Sequence, residues 1–457
     1  MDLSKVNNVY FLGIGGIGMS ALARYFHNRG AKVSGYDKTS TPLTTALQNE
    51  GISVHFSDNP NLIPGYPELV IYTPAVPKTL KEYIHLEEAG IPILKRAAVL
   101  GLLSKNYNTI AVAGTHGKTT VSTMCAHILY QSQVHCRAFL GGISKNYESN
   151  LLESSDSGWL VTEADEFDRS FLQLYPTTSV ITSMDADHLD IYNDHQNLKN
   201  NFSQFAAQVD KGGNLIHKKD LPLELPKGIN TFNYALEEQA DYYATDIKLD
   251  GLFYNFTIHT PQGAIENCTL GVPGLVNVEN AIAASAAAQL AGASNDEIRE
   301  GLKTFKGIKR RLDIHIHTDE MTYMDDYAHH PEEIRSLVKS VRDMFKGKKI
   351  LGIFQPHLFS RTRDFADGFG ESLSLLDEVI LLPIYPAREL PIPGVDSAML
   401  LDFIQHDHKS LIEKSRFPKV LDNYTFDVLL TIGAGDIDQL VDPIENYLIN
   451  RKHEMLK

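Results

Sequence analysis

The chain has 457 residues, of which 43% are hydrophobic and 22% are charged, and its formal net charge is −15. This balance is typical of a soluble globular protein, and the length predicts about three domains. The acidic balance and the lack of a basic stripe argue against nucleic acid as a partner, because phosphate contacts need clustered cations. The longest run of small apolar residues, 281–293, is too short to span a bilayer, so we expect no membrane insertion.

The three cysteines are Cys125, Cys136 and Cys268, and no C-x-x-C spacing occurs. Such a set supports neither a disulfide framework nor a zinc site. Glycines interrupt the apolar stretch near the amino terminus, which therefore differs from a secretory signal. We expect a cytoplasmic protein, and the sequence shows no sign of an obligatory protein partner.

The first block, residues 1–104, alternates short β-rich runs with helical patterns, as stacked βαβ units do. A strand at 9–12 leads through GIGGIG, residues 13–18, to a helix at 19–28 and a strand at 32–36. The loop has the G-x-G-x-x-G spacing of dinucleotide-binding folds, which places a diphosphate at a helix N-terminus. Asp37 lies where a ribose-binding acid would follow. Taken alone, this loop favours an NAD-dependent dehydrogenase.

The second block, residues 105–311, opens with the apolar strand TIAVAG, the loop GTHGKTT and a helix. The loop nearly fits the P-loop signature, but Val112 stands where its first glycine belongs. Gly114 and Gly117 let backbone amides turn toward a phosphate at the helix N-terminus. Lys118 has the reach for the β- and γ-phosphates, and the Thr119 hydroxyl suits Mg²⁺. The predicted ATP-binding loop is Gly114, Thr115, His116, Gly117, Lys118, Thr119 and Thr120.

Two acid-rich segments follow buried strands of the same block. They contain Glu163, Asp165, Glu166 and Asp168, and then Asp185, Asp187, His188 and Asp190. The carboxyl ends of parallel strands face the nucleotide crevice, so these side chains are candidates for Mg²⁺. Spacing alone leaves open which acid binds the metal, and a solvated acidic loop is the alternative.

The third block, residues 312–457, begins with the alternating run DIHIHTDEMTYMDD and continues with a helix that Pro331 starts. The apolar runs KKILGIF, DEVILL and DVLLTI then predict strands, and His357 and Arg361 lie just past the first of them. The predicted fold is α/β with three domains. These are a Rossmann-like N-terminal domain, a central P-loop-type ATPase domain with a mostly parallel sheet, and a Rossmann-like C-terminal domain. ATP use beside a separate glycine-rich block indicates either a synthetase or a nucleotide-gated switch or transporter subunit.

Several motifs resemble those of the Mur ligases. GTHGKTT, EADEFD and DADHLD are similar to the ATP-binding motifs of the family. DDYAHHPEE, QPHLFSRTRDF and PIYPARELPIPGV resemble, more narrowly, members that act on UDP-N-acetylmuramate and L-alanine in peptidoglycan synthesis. The resemblance spans all three blocks in the expected order.

The resemblance implies ATP-dependent ligation of L-alanine to the lactyl carboxylate of UDP-N-acetylmuramate through an acyl phosphate, with ATP and Mg²⁺ required. It implies that Lys118 contacts the phosphates, that Thr119 and Glu163 hold one Mg²⁺, and that His188 binds a second. His357 and Arg361 would orient the acyl phosphate and the alanine. Further implied ATP contacts are Asn277, Asn280, Arg311, Asp326 and His329. Val276 replaces a usual histidine of the adenine motif.

Because ATP has its own loop, the resemblance assigns the first loop to the diphosphate of the UDP-sugar. The implied contacts are Gly13, Gly15, Gly16, Ile17, Gly18 and Asp37. Two alternatives differ in chemistry: the dehydrogenase and an ATP-gated binding protein without ligase activity. The nearest alternative is the recycling ligase that attaches an intact tripeptide to UDP-N-acetylmuramate. Its segment after the EADE-like cluster is longer than the one here, which favours single-alanine addition.

Overall fold

The computed structural model describes residues 1–155, 157–185, 195–387 and 389–455. They form two compact units. The first comprises Met1–Lys248, Asn255–Gly271 and Val278–Gly307, and the second comprises Leu249–Tyr254, Val272–Asn277 and Ile308–Lys457. In the described residues, no helix is long and apolar enough to cross a membrane.

The first sheet has five parallel strands in the order β3-β2-β1-β4-β5. The strands are β1 (Asn8–Leu12), β2 (Lys32–Tyr36), β3 (Ser53–His55), β4 (Leu69–Tyr72) and β5 (Ile93–Lys95). The helices are α1 (Ile17–Asn28), α2 (Pro42–Asn49), α3 (Lys81–Glu88) and α4 (Arg96–Ser104). The order reverses on either side of β1, as in doubly wound folds, which confirms the Rossmann-like prediction. Helix α1 starts two residues before the prediction, with Gly16 as its N-cap.

The second sheet has ten strands in the order β15-β14-β13-β12-β11-β10-β6-β9-β7-β8. These are β6 (Asn108–Ala113), β7 (Arg137–Ser144), β8 (Ser149–Leu152), β9 (Trp159–Glu163), β10 (Thr178–Ile181), β11 (Asn214–Lys218), β12 (Asn230–Ala235), β13 (Tyr242–Asp250), β14 (Phe253–Thr260) and β15 (Gly263–Thr269). The helices are α5 (Lys118–Gln131), α6 (His195–Ala207), α7 (Leu275–Leu290) and α8 (Asn295–Thr304). The strands around β6 pair in parallel, which confirms the predicted mostly parallel central sheet.

The third sheet has the order β16-β17-β21-β18-β19-β20, and only β16 pairs antiparallel among the described strands. The strands are β16 (Asp313–His317), β17 (Thr322–Asp326), β18 (Ile350–Phe354), β19 (Glu378–Leu381), β20 (Lys409–Leu411) and β21 (Val428–Ile432). The helices are α9 (Pro331–Met344), α10 (Phe359–Asp364), α11 (Ala366–Leu373), α12 (Ser397–Leu401) and α13 (Val441–Met455). Pro331 opens α9 as predicted, because its fixed φ suits the first helical turn.

Short 3₁₀ helices complete the described elements. They are Leu3–Lys5, Pro60–Leu62, Phe167–Gln173, Lys414–Arg416, Lys419–Asn423 and Asp436–Leu440.

In the first unit, the first two sheets share one hydrophobic core. Phe11 and Phe26 of the first block belong to the same buried cluster as Phe171 and Leu215 of the second. Where α1 packs on β7 and β8, hydrogen bonds of Asn150 join the two blocks; we call this set of bonds the Asn150 brace. Asn150 donates to the Ile17 carbonyl at 2.5 Å and accepts from the Arg24 guanidinium at 2.5 Å. The glycine loop that precedes α1 is therefore held in place by the ATP-binding block.

Candidate active site

The predicted ATP loop lies between β6 and α5, and its two glycines have left-handed backbone. Gly114 has φ +139° and Gly117 has φ +83°, a region that favours glycine. Residues after β10 support the loop from one side. The Ser183 hydroxyl accepts from the His116 amide at 2.7 Å, and Thr182 donates to the Ala113 carbonyl at 3.2 Å. The turn is thus rigid before any phosphate arrives.

Lys118 is the first residue of α5, and its ammonium group is buried. It donates to the Glu166 carboxylate at 2.9 Å and to the Gly114 carbonyl at 2.6 Å. Burial alone would lower the pKa of Lys118, but the carboxylates of Glu166, Glu163 and Asp165 raise it above its ordinary value. The lysine therefore stays charged at the loop, as phosphate binding requires. Thr120 follows in the first turn of the helix.

The Thr119 hydroxyl donates to Glu163 at 2.8 Å, so the structure brings together two of the three predicted metal ligands. The strand register explains the pairing, because β6 and β9 are parallel neighbours with Val112 opposite Glu163. Gly141 of β7 makes room for this carboxylate, since a Cβ there would collide with it. A hydroxyl next to a carboxylate is a suitable pair of oxygen ligands for Mg²⁺. The third predicted ligand, His188, lies outside the described residues, as do Asp187 and Asp190.

The other acids of the first cluster contact basic side chains instead. Asp165 lies 3.6 Å from the Arg96 guanidinium, and Asp168 accepts from Lys95 at 2.7 Å. Glu166 is the partner of Lys118. Of the four acids, Glu163 is therefore the one that faces the Thr119 hydroxyl, which supports it over its neighbours as the metal ligand.

The predicted sugar-nucleotide loop, residues 13–18, lies between β1 and the first turn of α1. Gly13 has φ +86°, and Gly16 caps the helix without a side chain. Asp37 accepts from the Gly15 amide at 2.8 Å, so this carboxylate shapes the loop itself. Gly18 lies directly under the Arg96 guanidinium, where a Cβ would collide with it.

A cavity of about 90 Å³ lies beside the start of α1 within the first unit. Ile17 and Gly18 of α1 line it on one side, and Thr162, Glu163 and Asp165 line it on the other. Arg96, Leu100 and a segment of β7 complete the wall. The predicted sugar-nucleotide loop and the predicted metal acid therefore face one space.

In the second unit, Asp326 is buried at the end of β17 and accepts from the Leu312 and Ala328 amides at 2.7 and 2.8 Å. Burial raises the pKa of Asp326 to about 6, against the opposing effect of Arg311. The Arg311 guanidinium lies 5.3 Å from the centre of the Tyr327 ring. The neighbouring Arg310 instead pairs with Asp325 at 2.9 Å. Both guanidinium groups therefore lie near the Tyr327 ring, and Arg310 in addition forms the ion pair with Asp325.

Three further predicted residues of the second unit lie near one another. The His329 ring lies 6.2 Å from the His357 ring, and His357 stacks on Tyr385 at 5.7 Å. Burial lowers the pKa of His329, and the positive charge of Arg361 contributes in the same direction. Two imidazoles beside an arginine form a polar group that suits an anionic or polar ligand.

The predicted adenine-contacting residues lie in α7. Asn277 donates to the Pro273 carbonyl at 2.7 Å, and Asn280 is buried with its side-chain oxygen near Gly117. Both lie inside the helix, whose first residue is Leu275.

Sequence reasoning missed Arg96, Gly141 and Asn150. Gly141 had a usable signal, because a glycine within a strand often marks a close approach by another group. The sequence contains no comparable signal for Arg96 or Asn150, because each contacts residues that are far away in the chain. The three cysteines are buried free thiols, as expected. The run HIH, residues 315–317, lies in β16, and the His317 ring forms a hydrogen bond with the Thr322 hydroxyl at 2.9 Å.

Together, the fold and this site define a multidomain α/β protein with a P-loop-type phosphate site beside a second glycine-rich loop. Three family profiles match the chain in order. They are Mur ligase family, catalytic domain, at residues 8–108; Mur ligase middle domain, at 112–288; and Mur ligase, glutamate ligase domain, at 310–435. The chain belongs to the Mur ligase family. Since the first profile covers the GIGGIG loop, the dehydrogenase alternative is left without support.

Full-length relatives agree with this assignment. The chain is 50% identical over 453 residues to the UDP-N-acetylmuramate–L-alanine ligase of Porphyromonas gingivalis, covering 97% of this chain and 99% of the relative. It is 48% identical over 455 residues to the protein of the same name from Parabacteroides distasonis, covering 98% of each.

Solved structures have the same architecture. The UDP-N-acetylmuramate-alanine ligase of Thermotoga maritima matches with a TM-score of 0.81 at 27% identity, covering 98% of this chain and 99% of that one. A murein peptide ligase from Psychrobacter arcticus matches with a TM-score of 0.69 at 21% identity, covering 96% and 98%. The second likeness shows a shared fold.

Proposed function

We propose that this protein joins L-alanine to the lactyl carboxylate of UDP-N-acetylmuramate, consuming ATP, as a step of peptidoglycan synthesis in the cytoplasm. The observation that carries the proposal is the cavity in which Ile17 and Gly18 face Glu163. A ligase that activates a carboxylate of a sugar nucleotide needs its two nucleotide sites to meet at one point. Names of relatives at 50% and 48% identity support the choice of substrates.

The chemistry explains why ATP is needed. A carboxylate is anionic near neutral pH and does not react with an amine, so its oxygen must first be made into a leaving group. Attack of the lactyl carboxylate oxygen on the γ-phosphorus of ATP forms a carboxyl–phosphate bond and releases ADP. The amine of alanine then attacks the carbonyl carbon, and phosphate leaves as the amide forms. Positioning and charge stabilisation carry most of such a reaction.

Residues of the first unit fit the ATP part of this proposal. The amides of the 114–117 turn and the charged Lys118 would hold the phosphates, and Thr119 with Glu163 would hold Mg²⁺. When bound, Mg²⁺ would offset the negative charge of the phosphates. The rigid turn and the ready hydroxyl–carboxylate pair are the observations that support this fit.

Residues of the second unit would complete the reaction. Asp326, His329 and Arg311 are proposed nucleotide contacts, and His357 and Arg361 are proposed to orient the acyl phosphate and the incoming alanine. Their mutual proximity supports a common role, because His329 contacts His357 and senses the charge of Arg361. Asn277 and Asn280 are proposed adenine contacts, and His188 remains a proposed ligand of a second Mg²⁺.

The recycling ligase that attaches a tripeptide is the remaining alternative. The short connection from the acids after β9 to β10 favours a single amino acid. It consists of the 3₁₀ segment Phe167–Gln173, which is kinked at Asp168 and Arg169, and four further residues before Thr178.

A coupled assay of ADP release tests the proposal. With UDP-N-acetylmuramate, ATP and Mg²⁺ present, we expect turnover with L-alanine to exceed turnover with glycine, L-serine or the tripeptide. Omitting UDP-N-acetylmuramate should remove the signal. Faster ADP release with the tripeptide, or release that ignores the sugar nucleotide, would contradict the proposal.

A further inference from the structure

Arg96 occupies a position that neither the motifs nor the family resemblance assigns. It is the first residue of α4, directly after β5, and it lines the cavity beside the start of α1. It lies over Gly18 and 3.6 Å from the Asp165 carboxylate. It therefore contacts both the sugar-nucleotide side and the ATP side of the first unit.

The charges around the cavity are unequal. Among the residues that line it in the described part of the chain, Glu163 and Asp165 are the anions and Arg96 is the only cation. A substrate oxyanion entering beside two carboxylates is repelled unless a positive group offsets them. A guanidinium is suited to this role, because its planar donors match the oxygens of a phosphate or carboxylate.

The glycine at position 18 points the same way, because it leaves room for the guanidinium in the cavity. This contact also explains why position 18 is a glycine. A side chain at position 18 would push Arg96 out of the cavity.

Resting on the proposed function, we propose that Arg96 binds an oxyanion of the UDP-sugar, exchanging its contact with Asp165 for that group. Before substrate arrives, Asp165 holds the guanidinium in place. When substrate binds, the guanidinium binds the oxyanion instead, and Asp165 loses this one contact. The oxyanion belongs to either the diphosphate or the lactyl carboxylate of the same molecule.

Lys95 supplies a matched control. It is the residue before Arg96, and it joins the same two chain segments through its 2.7 Å contact with Asp168. It lines a different cavity, beside Tyr72 and Gln173. If Arg96 only tied the segments together, losing Lys95 or Arg96 would have similar effects.

Titration calorimetry with UDP-N-acetylmuramate, in the presence of a non-hydrolysable ATP analogue and Mg²⁺, tests the proposal. We expect Arg96→Ala to weaken binding about tenfold or more, and Arg96→Lys to recover part of the loss. Asp165→Asn should bind at least as tightly as the wild type, because it frees the arginine. Lys95→Ala should stay within about twofold, and the ATP analogue should bind all variants equally.

UDP-N-acetylglucosamine, which has the diphosphate but no lactyl carboxylate, distinguishes the two sources. A loss for both sugar nucleotides assigns the diphosphate, and a loss for UDP-N-acetylmuramate alone assigns the carboxylate. Gly18→Ala, which displaces the guanidinium without removing it, should reproduce the loss if Arg96→Ala does not fold.

Unchanged binding by Arg96→Ala and Gly18→Ala would overturn the inference. So would equal losses in Arg96→Ala, Lys95→Ala and Asp165→Asn, which would identify a structural tether. If the wild-type protein does not bind UDP-N-acetylmuramate at all, the proposed function fails, and that result is distinct from both.

Discussion

The two glycine-rich loops share a backbone design and differ in their side chains. Each follows a parallel strand, turns through a glycine with positive φ and opens a helix. The 114–120 loop adds a buried lysine and a hydroxyl–carboxylate pair. The 13–18 loop adds neither, and Asp37 already accepts its Gly15 amide. The backbone geometry of both loops suits a phosphate, but only the 114–120 loop also presents a cation and a hydroxyl–carboxylate pair.

Removing the lysine should separate the two loops most strongly. We expect Lys118→Met to lower ADP formation by at least about a thousandfold while UDP-N-acetylmuramate still binds, because the lost charge belongs to the proposed ATP loop and does not line the cavity beside the first loop. The assay is ADP release, with sugar-nucleotide binding measured by calorimetry.

This variant removes the Lys118 partner of the buried Glu166 carboxylate, and breaking a buried ion pair destabilises proteins by about 3–5 kcal/mol. The double variant Lys118→Met with Glu166→Gln restores neutrality and should melt near the wild-type temperature. Loss of sugar-nucleotide binding in that folded double variant would show that the loops do not divide the work.

A smaller effect is expected from the metal acid. Glu163→Gln can still accept the Thr119 hydroxyl but loses its charge, so we expect kcat to fall about a hundredfold and the Mg²⁺ requirement to rise. Thr119→Ser, which keeps the hydroxyl, should stay near wild type. An unchanged Mg²⁺ titration curve for Glu163→Gln would remove this residue from the metal site.

The smallest effect should come from the first loop. Asp37→Asn can keep the hydrogen bond to the Gly15 amide, so we expect the affinity for UDP-N-acetylmuramate to change by less than about threefold. Calorimetry against the wild type measures this change. A loss of more than tenfold would instead give Asp37 a direct contact with the nucleotide, and the two loops would then be more alike than they look.

Local features of the sequence predict much of this site. Glycine spacing and apolar runs predict the loop that contains Lys118 and Thr119, and neighbouring parallel strands bring the following acids to the same edge of the sheet. The sheets follow in the predicted order for the same reason. The choice of Glu163 among those acids comes from the family resemblance, and the structure adds its hydrogen bond with Thr119. The three-domain boundaries at 104/105 and 311/312 remain predictions, since the described chain forms two compact units and no linker composition marks the first boundary.

Long-range contacts could not be predicted in this way. Nothing in the run ILKRAAVL distinguishes Arg96 from a surface arginine. Its position in the cavity depends on contacts with Gly18 and Asp165, each about 70 or more residues away in the chain. Asn150 is similar: a polar residue in a short strand, it acquires its role only when α1 lies beside it.

The Asn150 brace has a consequence for synthesis on the ribosome. Strands β1 to β5 and helix α1 emerge first, yet Ser20 and Arg24 of α1 meet Asn150 only when β7 and β8 have been made. Chains fold from the amino terminus as they are translated. The first block therefore leaves the ribosome with the part of α1 that packs on β7 and β8 still uncovered, and the second block completes its folding.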